Sequence, residues 1–305
     1  MTVVVWNQHG PEARQRISAA VPEVQVVDIE LRPARPPQPM AEVLFAAGRY
    51  DAPDATWARG VRWVHAGSSG IETYPADLLQ AEIVTCSRGV RSPAIAEFVL
   101  AAMLAAVKDL PRIWAPGAVA ADFSLGTLSG RTLGLLGVGT IGRAVADRAA
   151  AFGLRILGVR RSAGAEPVGP IEIVDLRTLL AESDHLVVAA PATGASRHLL
   201  DAAAFRSVKP GLHLVNVSRG ALVDHDALVD ALRRGQVGRA TLDVTDPEPL
   251  PLDHPLRTDP RVWLSPHVSY MDGRHHAVVD RFIANLRRYL DGQPLDGVVD
   301  VRRGY

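Results

Sequence analysis

The sequence predicts an α/β protein of two lobes, each a parallel sheet covered by helices. Three observations predict it. Short apolar runs alternate with helical or turn-rich stretches along the chain, the pattern of strands buried on both faces by crossover helices. One long apolar helix beginning at Ser92 interrupts that alternation, and a second strand–helix series follows it. The 305 residues are enough for two ordinary domains.

The elements follow in order. VVVW (3–6), VQVVDI (24–29), EVLFAAG (42–48), VRWVHAG (61–67) and EIVTCS (82–87) read as strands, and RPARPPQP as a loop. SPAIAEFVLAAMLAAVKDLPR reads as the connecting helix, with Ser92 as N-cap, Pro93 at the first position and Pro111 as the stop. The second series has strands at LGLLGV (133–138), RILGV (155–159), HLVVAA (185–190), HLVNV (213–217), ATLDV (240–244) and VWLS (262–265). A last helix near His275 to Leu290 precedes an extended tail. The expected division is residues 1–92, then 93–275 as an inserted domain, then 276–305 returning to the first.

Composition removes several classes. Lys plus Arg and Asp plus Glu balance at 33 each, so no bulk attraction to nucleic acid or an anionic membrane is expected. A single cysteine, Cys86, excludes an intramolecular disulfide framework and a multi-cysteine metal site, and its apolar surroundings predict a packed thiol. The amino terminus lacks the basic start and apolar stretch of a signal peptide. The most apolar helix, Ala94 to Val107, contains Glu97 and is too short to span a bilayer, so a cytoplasmic protein is expected. Asp224 in DHD reads as a helix cap, and His275-His276 as a solvated helix start. With no H-E-x-x-H or G-x-S-x-G, metal hydrolysis and serine-ester chemistry find no support, and no metal is expected.

TLGLLGVGTIGRAVADRAAAFGLRILGVRR is a complete strand–turn–helix–strand unit. Gly137, Gly139 and Gly142 give the G-x-G-x-x-G spacing of a Rossmann dinucleotide site. The first glycine permits a tight turn, the second lets backbone approach a pyrophosphate, and the third lets helix and strand pack closely. The helix start at Thr140, Ile141 and Gly142 offers N–H groups and a positive dipole end to phosphate. An NAD site commonly carries a carboxylate about 20 residues on, for the ribose 2′-OH. Here Arg160, Arg161 and Ser162 stand there instead. Guanidinium groups suit a 2′-phosphate, so NADP(H) is favoured and NAD(H) is possible.

Three later strand ends carry polar groups. HLVNVSRGALVD delivers Arg219, TLDVTDPEPLP delivers Asp243 and Glu248, and VWLSPHVSY delivers His267. In an open parallel sheet, ligands sit outside the carboxyl ends of the strands, so these residues would meet there.

These motifs, with WVHAGSSGIE, SRGVRSPAIAEFVLAAML and LSGRTLGLLGVGTIGRAVA, cover nearly the whole chain. Together the chain resembles the D-isomer-specific 2-hydroxyacid dehydrogenases, most nearly the glyoxylate and hydroxypyruvate reductase branch. The resemblance implies a Rossmann domain inserted in a flavodoxin-like substrate domain, around a cleft. It implies that Arg219 grips a 2-oxo acid, that His267 donates a proton to its carbonyl oxygen, and that Glu248 holds the imidazole. It further implies Asp243 at the nicotinamide, Ala190, Pro191, Val217 and Ser218 lining the cofactor site, and backbone N–H groups near Ser69 and Gly70 for the substrate carboxylate. A homodimer formed partly by the long helix is implied as well. The alternative function is a nucleotide-sensing binding protein on the same fold, since such proteins can retain catalytic groups.

Departures from the family pattern bear on substrate. HPLR places Arg257 where members often have tryptophan, which predicts a pocket open to a bulkier or more acidic substrate, or weaker activity on the usual ones. Tyr270 and Met271, in VSYMDGR, are expected to narrow the pocket. Glu248 in place of an amide argues against a formate dehydrogenase. The lack of a further domain argues against a regulated phosphoglycerate dehydrogenase.

Overall fold

The computed structural model describes residues 2–47, 54–120, 123–160, 166–273 and 276–301. The chain forms two compact units, one made of Met1–Arg91 with Asp272–Tyr305, the other of Ser92–Met271.

The first unit opens with β1 (Val4–Asn7), α1 (Gly10–Ala20), β2 (Gln25–Asp28), β3 (Val43–Ala46), β4 (Trp63–Ala66) and β5 (Ile83–Cys86). The five strands pair in parallel in the order β2-β1-β3-β4-β5, the flavodoxin-like winding. All residues of β3 and β4 are buried, which is why their sequences read as unbroken apolar runs rather than alternating ones.

The second unit begins with α2 (Ser92–Lys108). Pro111 does not stop that helix. The break falls at Asp109, whose φ of 49° is left-handed, and Pro111 sits in the first turn of a short α3 (Leu110–Ile113). A proline is tolerated there because the first-turn N–H groups have no intrahelical partner anyway. Ser92 lies inside α2, and its buried Oγ makes no hydrogen bond, so it is no capping oxygen.

There follow β6 (Thr132–Leu136), α4 (Thr140–Ala149), β7 (Arg155–Val159), β8 (Ile171–Ile173), α5 (Leu176–Glu182), β9 (His185–Val188), α6 (Ala202–Arg206), β10 (Leu212–Asn216), α7 (His225–Arg233), β11 (Val237–Leu242) and β12 (Val262–Leu264). The sheet runs β8-β7-β6-β9-β10-β11-β12, all parallel. Counted from β6, that is the Rossmann order 3-2-1-4-5-6 with one strand added. The order reverses between β6 and β9, so the ligand crevice of such a sheet lies at their carboxyl ends. One sheet face packs Leu133, Leu135, Val187 and Val215 against Ile95, Val99 and Met103 of α2. The other packs Leu136, Leu186 and Leu214 against Leu228 and Leu232 of α7. Asp224 caps α7, its Oδ1 accepting from Ala227 N at 3.0 Å.

The chain then returns to the first unit through α8 (Ala277–Leu290). Its Phe282 stacks on Phe45 and Trp63, with Val278, Val279, Ile283 and Leu286 buried around them. Behind α8 the tail crosses β5, with Cys86 N donating to Gly297 O and Val299 N to Val84 O. Cys86 is fully buried and free, a packed thiol.

Candidate active site

The glycine turn follows from three different steric demands. Gly137, at φ 111°, has the backbone of Ala189 and Ala190 where a Cβ would stand, at 2.6–2.8 Å. A Cβ on Gly142 would lie 2.2 Å from Gly137 O, so α4 can approach β6 only with hydrogen there. Gly139 differs: nothing lies within 4 Å of its missing side chain. Its backbone is ordinary extended chain and needs no glycine for conformation. An open cradle at the second glycine, at the uncapped start of α4, is what a pyrophosphate needs. The residues therefore fit a dinucleotide. Thr140 is exposed and Ile141 half-buried at that helix start.

Other expected cofactor residues fall around the same crevice. Ala190 and Pro191 follow β9, the partner of β6 at the switch point. Val217 and Ser218 follow β10 and are buried, and Ser218 Oγ donates to Ala190 O, tying the two strand ends together. Arg160 directly follows β7 and is half-buried. Arg161 and Ser162 lie outside the described residues.

Arg219, Asp243 and His267 leave the same ends of three adjacent strands. They stand three residues past β10, one past β11 and three past β12. Arg219 is set by Asn216, a buried strand-end residue. Asn216 Nδ2 donates to Arg219 O at 3.0 Å, and its Oδ1 accepts from Ser218 N at 3.1 Å. The guanidinium donates to Ser218 O at 2.8 Å. Gly220 then packs directly on Thr245 and Asp246, where a Cβ would lie 2.0 Å from the Thr245 carbonyl carbon. The Arg219 turn is thus pressed against the segment leading to Glu248.

Glu248 Oε1 and His267 Nδ1 are 2.9 Å apart, with side chains 37% and 40% exposed. A pair this exposed contributes at most about 1 kcal/mol to stability. Against that stands His267's left-handed φ of 54°, which costs about 1–3 kcal/mol for a residue with a side chain. Stability does not account for the arrangement, whereas a function for the imidazole does. With Nδ1 engaged by the carboxylate, Nε2 has no protein partner among the described residues. The arrangement can present a proton at Nε2 while Glu248 fixes the ring. Tyr270 meets the imidazole edge-on, centroids 5.9 Å apart.

Arg257 is exposed, and its guanidinium turns back onto its own loop. Its Nε donates to Leu250 O at 3.0 Å and Pro251 O at 2.9 Å, and Nη2 also donates to Leu250 O. It staples the loop just past Glu248, so the expected role in admitting acidic substrates gains nothing from the geometry. Ser69 and Gly70 belong to the first unit, on the loop after β4, where Ser69 is exposed. Asn216 and the Arg257 staple are not legible as such in the sequence, because both depend on side-chain direction. The Asn-x-Ser-Arg spacing is still compatible with a local side-chain turn. Among the described residues, no group of three His, Cys, Asp or Glu could hold a metal ion, and no helix is long and apolar enough to cross a membrane.

Comparison with known proteins decides the family. The model for the NAD binding domain of D-isomer specific 2-hydroxyacid dehydrogenases matches residues 100–269. The glyoxylate/hydroxypyruvate reductase B of Pectobacterium atrosepticum is 32% identical, over 98% of each chain. The chain belongs to the D-isomer specific 2-hydroxyacid dehydrogenases. This dehydrogenase is similar in structure to a family member from Xanthobacter autotrophicus Py2, solved in complex with NADPH and MES. The TM-score is 0.86 at 26% identity, covering 100% of this chain and 99% of that one. A family member from Aeromonas salmonicida gives 0.81 at 28% identity, covering 98% and 99%. The dehydrogenase is therefore a nicotinamide-dependent oxidoreductase, in the branch its motifs resemble, with the two-domain fold of its family.

Proposed function

We propose that this dehydrogenase is an NADP(H)-preferring reductase of small 2-oxo acids such as glyoxylate or hydroxypyruvate, able also to accept NAD(H). The observation that carries the reading is the His267–Glu248 pair, an exposed imidazole held in a costly backbone conformation, with no partner for Nε2 among the described residues. The bound dinucleotide supplies the hydride. Arg219 presents a planar fork that matches the carbonyl oxygen and carboxylate of a 2-oxo acid. His267 delivers a proton from Nε2 to the carbonyl oxygen, and Glu248 keeps the ring aligned during transfer. The Pectobacterium relative's name supports the substrate class.

The cofactor preference rests on Arg160 and Arg161 replacing a carboxylate that would repel a 2′-phosphate. NADPH in the Xanthobacter relative supports it. Exposed Trp114, Val119 and Leu125, on the stretch after α2, support a homodimer.

The test is a panel of 2-oxo acids with NADPH and NADH, followed by absorbance of the reduced cofactor. Turnover of glyoxylate or hydroxypyruvate with NADPH preferred is expected. Arg160→Asp with Arg161→Ala is expected to weaken NADPH far more than NADH. His267→Ala is expected to lower kcat about 10²–10⁴-fold while NADPH still binds. Tight NADPH binding with no turnover of any acid would instead indicate a cofactor-sensing protein.

A further inference from the structure

We infer that Asp243 is the positioning residue for His267, and that its main work is to shape the loop carrying the proton donor. This rests on the reading of His267 as that donor. Asp243 is 1% exposed, one residue past the end of β11. Its Oδ1 accepts from Ser265 Oγ at 2.6 Å and from Val268 N at 2.9 Å. Its Oδ2 accepts from Ser269 N at 3.0 Å. Its backbone oxygen accepts from His267 N at 2.9 Å.

Three successive backbone N–H groups, from residues 267, 268 and 269, therefore converge on one aspartate. Convergence of consecutive N–H groups is the geometry of an anion nest, which forms when right- and left-handed residues alternate. The left-handed member here is His267 itself, at φ 54°. Where a nest would cup a ligand anion, two of these N–H groups, from Val268 and Ser269, meet the protein's own carboxylate and the third, from His267, meets the backbone oxygen of the same aspartate. These bonds fix the unusual backbone at His267 and so the direction in which the imidazole leaves the chain.

A carboxylate is the residue type the site demands. All three side-chain contacts are donors, so Asp243 must accept at both oxygens. An asparagine of the same shape would turn one NH₂ group toward Ser269 N–H, or toward Val268 N–H and Ser265 Oγ. Either way donor faces donor, and the loop has to shift. Active-site displacements of about 1 Å commonly cost about 100-fold in rate.

The test compares Asp243→Asn with the parent enzyme in four readouts: kcat, KM for the oxo acid, the NADPH dissociation constant, and the solvent deuterium isotope effect on kcat. Expected is a fall in kcat of about 10–100-fold, with KM and NADPH affinity held within about threefold. The isotope effect should rise, because delivery of the proton becomes slower relative to other steps. A merely structural loss would lower the active fraction without changing that isotope effect. NADPH affinity falling in step with kcat would overturn the proposal and give Asp243 to the cofactor. Ser265→Ala covers the case in which Asp243→Asn does not fold. It removes one bond to the carboxylate and should lower kcat about three- to tenfold with NADPH binding unchanged. Full activity of Ser265→Ala would count against the proposal. His267→Ala separates the two levels: if it stays active, the proton-donor reading itself fails. If it is inactive while Asp243→Asn is fully active, only the positioning role fails.

Discussion

At the scale of single residues, the site is built from side chains that hold other side chains. Glu248 holds His267, Asn216 holds the Arg219 turn, and Arg257 holds the carbonyls of Leu250 and Pro251. Arg257 is the instructive case, because its charge invites a role in substrate selection. A guanidinium has five donors, and here three hydrogen bonds go to two backbone carbonyls of its own loop. Arg257→Ala should therefore loosen the segment next to Glu248 without altering which acids the enzyme prefers. The expected outcome is a several-fold lower kcat, equal for glyoxylate and for a 2-oxo acid bearing a second carboxylate. The ratio of kcat/KM between the two acids measures it. Selective loss of the dicarboxylic acid would mean that Arg257 contacts substrate after all.

At the scale of elements, the β6–turn–α4 unit separates glycines needed by the fold from the one needed by a ligand. Gly142 admits no Cβ against Gly137 O, whereas Gly139 opens onto empty space with ordinary backbone angles. Gly139→Val should leave the melting temperature within a few degrees of the parent while weakening NADPH at least tenfold, by filling the pyrophosphate's place. Gly142→Val should lower the melting temperature sharply before any ligand is added. Calorimetry and NADPH titration of both variants check the contrast, and equal destabilisation of the two would refute it. This unit was readable in the sequence because spacing alone encodes it. The strands were readable for a related reason: buried parallel strands are unbroken apolar runs. β8 was missed because Ile171–Ile173 is three residues with a glutamate in the middle. The end of α2 was misplaced because Asp109's left-handed turn has no mark as strong as a proline. The residues at the strand ends were legible from their order along the chain. The convergence of Ser265, Val268 and Ser269 on Asp243 was not, because hydrogen-bond direction is set by folding and leaves no periodicity.

At the scale of the whole molecule, each unit buries histidines that the chemistry does not use. In the first, His65 is fully buried, its Nδ1 2.7 Å from Thr85 Oγ1 and its Nε2 3.1 Å from Ser87 Oγ. In the second, His185 and His213 face each other across β9 and β10, their Nδ1 atoms 3.1 Å apart, and His213 Nε2 meets Thr241 Oγ1. Burial, with smaller contributions from neighbouring cationic or titratable groups, pushes His65 down to about 3 and His185 down to about 4 from an ordinary 6.5. His213 is pushed down in the same sense, chiefly by burial. Above pH 6.5 these imidazoles are neutral whether the chain is folded or not, and they add no pH dependence. Below 6.5 the unfolded chain takes up protons that the folded chain refuses, so unfolding gains. Each pH unit crossed costs about 1.4 kcal/mol per such histidine, until the folded value is reached. Stability should therefore start to fall near pH 6.5 and keep falling toward about 4, the folded value of His185. Urea unfolding between pH 7.5 and 5 measures the slope. His185→Gln removes one of these groups and should flatten the acid slope of the second unit, while His65→Gln should do so for the first. An unfolding midpoint that does not move between pH 7 and 5, or a slope indifferent to both substitutions, would show that these imidazoles are not held neutral by the fold.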